Sequence, residues 1–335
     1  MKVNIKKIIA AVCLLSGCYF TTAQSVQIIA TGPDVSLRGL SVVDDKIVWV
    51  SGAAGTVGKS TDGGKTFEWI KVKGYEKNDF RDIEAFSEKS ALIMAVGTPA
   101  LILKTTDGGN HWRLVFKDET PGMFLDAMEF WNEQSGIIVG DPISSKIFIA
   151  RTFDGGYSWR GIPQKNTPAA DSGEAMFAAS GTNVRKLNKQ EAVFVTGGSK
   201  SRLYIRDKKI DLPFTTGKQT AGANSIAIKN KNIMMVAGGD FSHKDSILSN
   251  CFISRNGGLL WQIPNVPPHG YRSCIEFINK TNWVCCGLNG ADFSTDDGNT
   301  WIWISKQSFN VCRKAKHDNA IFFAGAAGKI GKLIL

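Results

Sequence analysis

Arginine and carboxylate side chains are the residues of this chain whose types and spacing could do chemistry. Arg38, Arg81 and Arg272 stand at matching places in three similar segments, "LRGLSV", "FRDIEAF" and "YRSCIEF". A guanidinium presents a planar fork of donors, so several around one opening would form a preorganised site for carboxylate or phosphate groups. Asp82 and Asp126 fall at the next position of the same alignment. The arginines can equally pair with Asp82, Asp126, Glu84, Glu129 or Glu276 as structural bridges, or serve both ends. A two-carboxylate hydrolase would draw on Asp82 and Asp126, or on Asp171 and Glu174 in the segment "DSGEAMFAASGT".

Other chemistries find less to work with. The stretch "GAAGTVGKSTDGG" looks like a phosphate cradle, but Ala53 stands where a Walker loop needs its first glycine, and a turn signal follows where a helix should begin. The four histidines are dispersed and no cysteine makes a CxxC pair, so neither a metal nor a cofactor is expected. An oxidoreductase is the weakest reading on the same grounds. Cys285 and Cys286 read as core filling. Cys274 and Cys312 each precede a repeated glycine by 13 residues, which places them on neighbouring inner strands as a candidate disulfide.

These residues need elements to hold them, and the elements come from a repeat. An apolar run ending in glycine recurs seven times, reaching Gly52, Gly97, Gly140, Gly197, Gly238, Gly287 and Gly325. After five of these glycines comes Ser/Thr-x-Asp-x-Gly-x-x-aromatic, the Asp-box, with Asp62, Asp107, Asp154, Asn256 and Asp296 at its centre. A worn copy holds Asp207. Within each box the carboxylate can accept amides of its own turn while glycines supply positive φ, so these residues read as turn staples.

Each unit divides into four short strands. The fold expected is therefore all-β, a seven-bladed propeller of four-stranded antiparallel blades over residues 24–335. The seventh unit stops after three strands, and "VQIIAT" at 26–31 is the strand that would close the ring. If the first strand of each unit runs inward from the upper face, as resemblance to other Asp-box propellers implies, the boxes fall on the lower rim. The loops after the glycines, with Asp141, Asp240 and His243, and the connections between blades then form the upper face, where a ligand or partner is expected.

Residues 1–23 read as a bacterial export signal, with Lys2, Lys6 and Lys7 before an apolar run. Leu15-Ser16-Gly17-Cys18 resembles a lipobox that would acylate Cys18, and a cut after Ala23 is the competing reading. The protein is thus expected to be exported, as a periplasmic, secreted or outer-membrane lipoprotein, touching membrane only through such an anchor. The formal charge of +10 falls to +7 without the leader, and its scatter argues against nucleic acid.

The Asp-boxes together with "FRDIEAF", "FLDAMEFWNEQSGIIVGDP" and "DSGEAMFAASGT" resemble exported seven-bladed BNR propellers similar to photosystem II stability/assembly factors. That resemblance implies a monomeric, non-enzymatic scaffold that engages a protein or peptide of the cell envelope through an arginine-lined upper face. Sialidase-like Asp-box propellers are the more distant resemblance and would imply glycan binding or hydrolysis. They have six blades, their early Arg-Ile-Pro-like motif is absent where "SLRGLS" stands, and Tyr271 has no glutamate partner in sight except Glu276.

Overall fold

A computed structural model describes residues 24–335, so the leader with Cys18 lies outside the described residues. The chain forms seven antiparallel sheets arranged as the blades of a propeller. Blade 1 is typical, with strands Leu37–Val42, Val48–Gly52, Thr56–Ser60 and Glu68–Lys71 in sequence order from the axis outward. Blade 7 takes three strands from the C-terminus and its fourth, Ser25–Thr31, from the start of the described chain. Ser25 pairs with Ile334 and Thr31 with Lys329, so the ring is closed by hydrogen bonds between the two ends.

Burial explains why the strands lack alternation. The second strands Val48–Gly52 and Ala91–Ala95 are buried at every residue, sandwiched between neighbouring blades, and so read as continuous apolar runs. The outermost strands are half exposed, as in Arg113–Asp118. The core is therefore a series of seams. Trp49 is fully buried between blades 1 and 2, and its indole donates to the Ser87 carbonyl of blade 2 at 3.0 Å.

The lower hairpins are tied by one repeated device. Asp62 Oδ1 accepts from the Ser60 hydroxyl at 2.8 Å and the Thr66 amide at 2.9 Å, while Oδ2 accepts from the Thr66 hydroxyl at 2.6 Å. Those bonds, with Thr66 first, hold its carboxyl down at about 2. Asp154 and Asp296 make the same set, Asp107 differs only in that its Oδ2 meets the His111 imidazole at 2.6 Å, and Asn256 accepts the Leu260 amide at 2.9 Å.

Blade 5 departs from the regular plan. It has three strands, Ala221–Ile228, Met234–Asp240 and Cys251–Ser254, and a single bridged pair, Ile253 with Gln262, where its outer strand should run. Pro264 follows that pair and removes a ladder donor. Two short strands, Glu174–Ala175 and Gly197–Gly198, are added instead to its inner edge.

Candidate functional site at the upper channel mouth

Four inner strands carry a β-bulge at the same place. Pairing skips Arg38 between Leu37 and Gly39, Arg81 between Phe80 and Asp82, Asp126 between Leu125 and Ala127, and Asn224 between Ala223 and Ser225. A bulge re-aims the extra side chain. Arg38, Arg81 and Asn224 turn into a cleft at the upper mouth, joined there by Ser273 and Asn310 from blades 6 and 7.

This register corrects two expectations. Asp126, not Asp82, is the counterpart of Arg38 and Arg81. Arg272 is not their equivalent, because Tyr271 O and the Arg272 Cα crowd Gly287 as Ser36 O and the Leu37 Cα crowd Gly52. Arg272 thus matches Leu37, one residue before the bulge, and a one-residue slip sends a strand side chain to the other face. It lies fully buried in the sheet seam, ion-paired to the equally buried Asp292 and bonded to Asn289 Oδ1 at 2.6 Å.

The floor of the mouth was not legible in advance. The connection from blade 3 to blade 4 dips into the channel, touching blade 3 itself and then the inner parts of blades 1, 6, 7 and 5. The Met176 amide donates to Asp141 at 2.8 Å, the Ala179 carbonyl accepts from Arg38 at 3.4 Å, and the Ser180 hydroxyl donates to Ser273 O at 2.8 Å. Gly181 O accepts from Arg313 at 2.9 Å and the Thr182 hydroxyl donates to Ser225 at 2.6 Å. The segment is a plug, and the upper mouth is a blind cleft of about 540 Å³.

Glu174 and Asp171 hold the plug in place. Glu174 is buried and accepts from Thr196 at 2.6 Å, Tyr204 at 2.7 Å, Arg202 at 2.6 Å and the Asp171 amide at 3.0 Å. Arg202 also binds Asp171 at 2.8 Å, which holds that carboxyl below its usual range. A carboxylate with its acceptor sites filled this way is a structural anchor, and Asp171 and Glu174 are both engaged by Arg202.

Asp82 lies under the plug, fully buried, and accepts the amides of Ile83 and Met128 at 2.8 Å each. Burial pushes its carboxyl up to about 7, with Arg313 opposing. Asp126 is also fully buried, and neither of its oxygens has a hydrogen-bond partner. Burial first, and then the charge of Asp141, raises it well above the carboxylate range. Asp141 reaches the cleft, and burial lifts it to about 6. Neither Asp82 nor Asp126 is open to the cleft, so the structure does not bring a catalytic carboxylate pair together there.

The two arginines that do reach the mouth are only lightly engaged. Arg81 gives Nε to Asp79 at 2.7 Å, and its terminal nitrogens make no hydrogen bond among the described residues. Arg38 makes no ion pair among the described residues, and burial, then the neighbouring Arg81 charge, lowers its pKa. Phe124, Met176, Phe177, Phe241 and Leu288 line the same cleft. Phe241 opens the short 3₁₀ turn Phe241–His243, whose N-cap Asp240 accepts from the Ser242 amide at 3.0 Å and from His243 at 3.0 Å. Asp240 also accepts from the Ser242 hydroxyl at 2.6 Å and pairs with Lys218 at 3.3 Å, so it and His243 are engaged within the loop and with Lys218, and it is Phe241 from this loop that lines the cleft.

The expected pairing of channel glutamates occurs at the opposite end with other cations. Arg185 binds Glu129 at 3.5 Å and Glu276 at 3.0 Å, and Lys316 reaches Glu84 at 2.7 Å. Among the described residues no group of three or more His, Cys, Asp or Glu side chains is arranged to hold a metal. Asn224, Ser273 and Asn310 were missed by sequence reasoning, although a strict count of 14 residues back from Gly238 and Gly287 reaches the first two, as it reaches Arg38 from Gly52 and Asp126 from Gly140.

Comparison with known proteins agrees with this architecture. Residues 21–123 match a family model described as photosynthesis system II assembly factor YCF48. A stretch of 143 residues, 41% of this chain, is 28% identical to photosystem II stability/assembly factor HCF136, chloroplastic, of Arabidopsis thaliana. The match spans about a third of that relative, 34% of its length. Among solved structures, YCF48 bound to D1 peptide superposes with a TM-score of 0.67 at 17% identity, over 93% of this chain and 95% of that one. YCF48 from Cyanidioschyzon merolae gives 0.67 at 15% identity, over 92% and 98%. The chain is a seven-bladed propeller similar to photosystem II assembly factors.

Proposed function

We propose that this protein is a non-enzymatic binding propeller that captures a protein partner by seating a carboxylate-bearing peptide segment in the blind upper mouth. The observation that carries this reading is the pair of bulged arginines, Arg38 and Arg81, with unspent donors in a cleft also lined by aromatic side chains. Guanidinium forks suit a carboxylate, and the wall of Phe124, Phe177 and Phe241 suits neighbouring apolar side chains. The similar fold of YCF48 bound to D1 peptide supports a peptide as the occupant.

Hydrolysis has weaker support, since Asp82 and Asp126 are sealed from the cleft and Asp171 and Glu174 are spent on Arg202. We read the stapled hairpins as Asp-boxes, and the basic, apolar residues 1–23 as an export signal, which would place the partner in the cell envelope. The protein would act as a single copy.

The test is affinity capture from the envelope fraction of the native organism with wild-type protein and the double variant R38A/R81A. Proteins held by the wild type and lost by the folded variant are expected. Equal capture by both would overturn the assignment of the mouth.

A further inference from the structure

The five described cysteines divide between two seams. Cys251 and Cys285 pack in the hydrophobic cluster between blades 5 and 6, while Cys274, Cys286 and Cys312 share the cluster that joins blades 6, 7 and 1. The vicinal pair is split because consecutive strand residues point to opposite faces. Cys274 lies on the inner strand Cys274–Asn279 and Cys312 on the inner strand Val311–Lys314 of the next blade. Their sulfurs are 3.7 Å apart, and the Cys274 thiol also points at the Cys312 carbonyl at 3.2 Å. All three thiols are fully buried among apolar side chains.

We infer that Cys274 and Cys312 are a disulfide-forming pair that staples blade 6 to blade 7 beneath the upper mouth, and that Cys286 is the bystander thiol of the same cluster. A disulfide needs its sulfurs at about 2.05 Å, a closure of under 2 Å from the reduced separation. Cys286 is the direct cross-strand partner of Cys274 within blade 6, so a bond between those two would only repeat a contact the ladder already makes. The bond to Cys312 instead crosses a seam that has no backbone ladder. Nearby, that seam is held by the Ser273 hydroxyl donating to Asn310 O at 2.6 Å. Ser273 and Asn310 both line the mouth, so the staple would fix two of its walls.

The oxidant is a small disulfide such as oxidised glutathione. The Cys274 thiolate attacks one glutathione sulfur and releases one glutathione thiolate. The Cys312 thiolate then attacks the Cys274 sulfur of the mixed disulfide and releases the second glutathione, so two protein thiols are oxidised, one glutathione disulfide is reduced, and the two protons end on the two glutathiones. Because both cysteines are fully buried once folded, the exchange belongs to the folding chain.

The full chain is refolded in a glutathione redox buffer and, separately, in a thiol reductant. Free thiols are alkylated after denaturation without reduction, and cysteine peptides are mapped by mass spectrometry. The expected result is a Cys274–Cys312 linked peptide in the oxidised sample, with Cys251, Cys285 and Cys286 alkylated, and a thermal midpoint about 5 °C above that of the reduced sample. C286A should still form the link. Alkylation of both Cys274 and Cys312 after oxidative refolding, or a link from Cys274 to Cys286, would overturn the inference.

Discussion

Arg272 and Asp292 are both fully buried and bonded to each other, whereas Arg38 and Arg81 sit half-buried at an open cleft. Removing one member of a buried ion pair leaves the other charge without compensation, at a cost of about 3–5 kcal/mol. R272A should therefore lower the thermal midpoint sharply while R38A and R81A leave it within a few degrees, as read by circular dichroism melts. Similar melts of all three variants would contradict a structural role for Arg272.

Asp82 sets a pH dependence at the same scale. Its folded pKa, about 7 against an ordinary 3.8, lies above the unfolded value because burial disfavours the charged form. The folded state holds the proton more tightly, so the stability this group contributes is complete below about pH 4 and is lost as pH rises through 7. Wild-type stability in urea should decline from pH 5 to pH 8, and D82N should flatten that slope. An unchanged slope in D82N would assign the pH dependence to other groups.

At the scale of elements, the strands and hairpins were legible from sequence because blade burial writes continuous apolar runs and the boxes write their own turns. The ring-closing strand was legible too, since the seventh unit was one strand short. The plug was not, because nothing local in "DSGEAMFAASGT" distinguishes a surface loop from one that enters a channel; its partners, from Arg38 to Arg313, are brought together only by the closed ring. Arg272 was misplaced because a tolerance of one residue in counting reverses the face of a strand side chain.

Gly181 tests the plug. It has φ +63°, and a methyl group there would collide with the Asp82 carboxylate. G181A should cost on the order of 1–3 kcal/mol and loosen the floor of the mouth. Faster amide exchange at Ala178–Thr182 would report it, and unchanged exchange would mean that the plug does not depend on this contact.

For the whole molecule, the closed ring, the plug and the bulges act together. The ring fixes the seven inner strands around one axis, the plug makes the upper opening blind, and the bulges turn two arginines into it. On the proposed reading, this arrangement would favour something short and carboxylate-bearing over a chain that threads through. The lower opening is separated from it by the plug and has its own closed set of ion pairs, so binding above should not need the lower face.

The most direct measurement is selection from a random peptide library on immobilised protein, comparing wild type with folded R38A/R81A. The account predicts that wild type enriches peptides bearing a carboxylate beside apolar residues, and that the double variant binds those peptides at least about tenfold more weakly. Equal enrichment and affinity on both proteins would contradict the claim that the arginine mouth is the binding site.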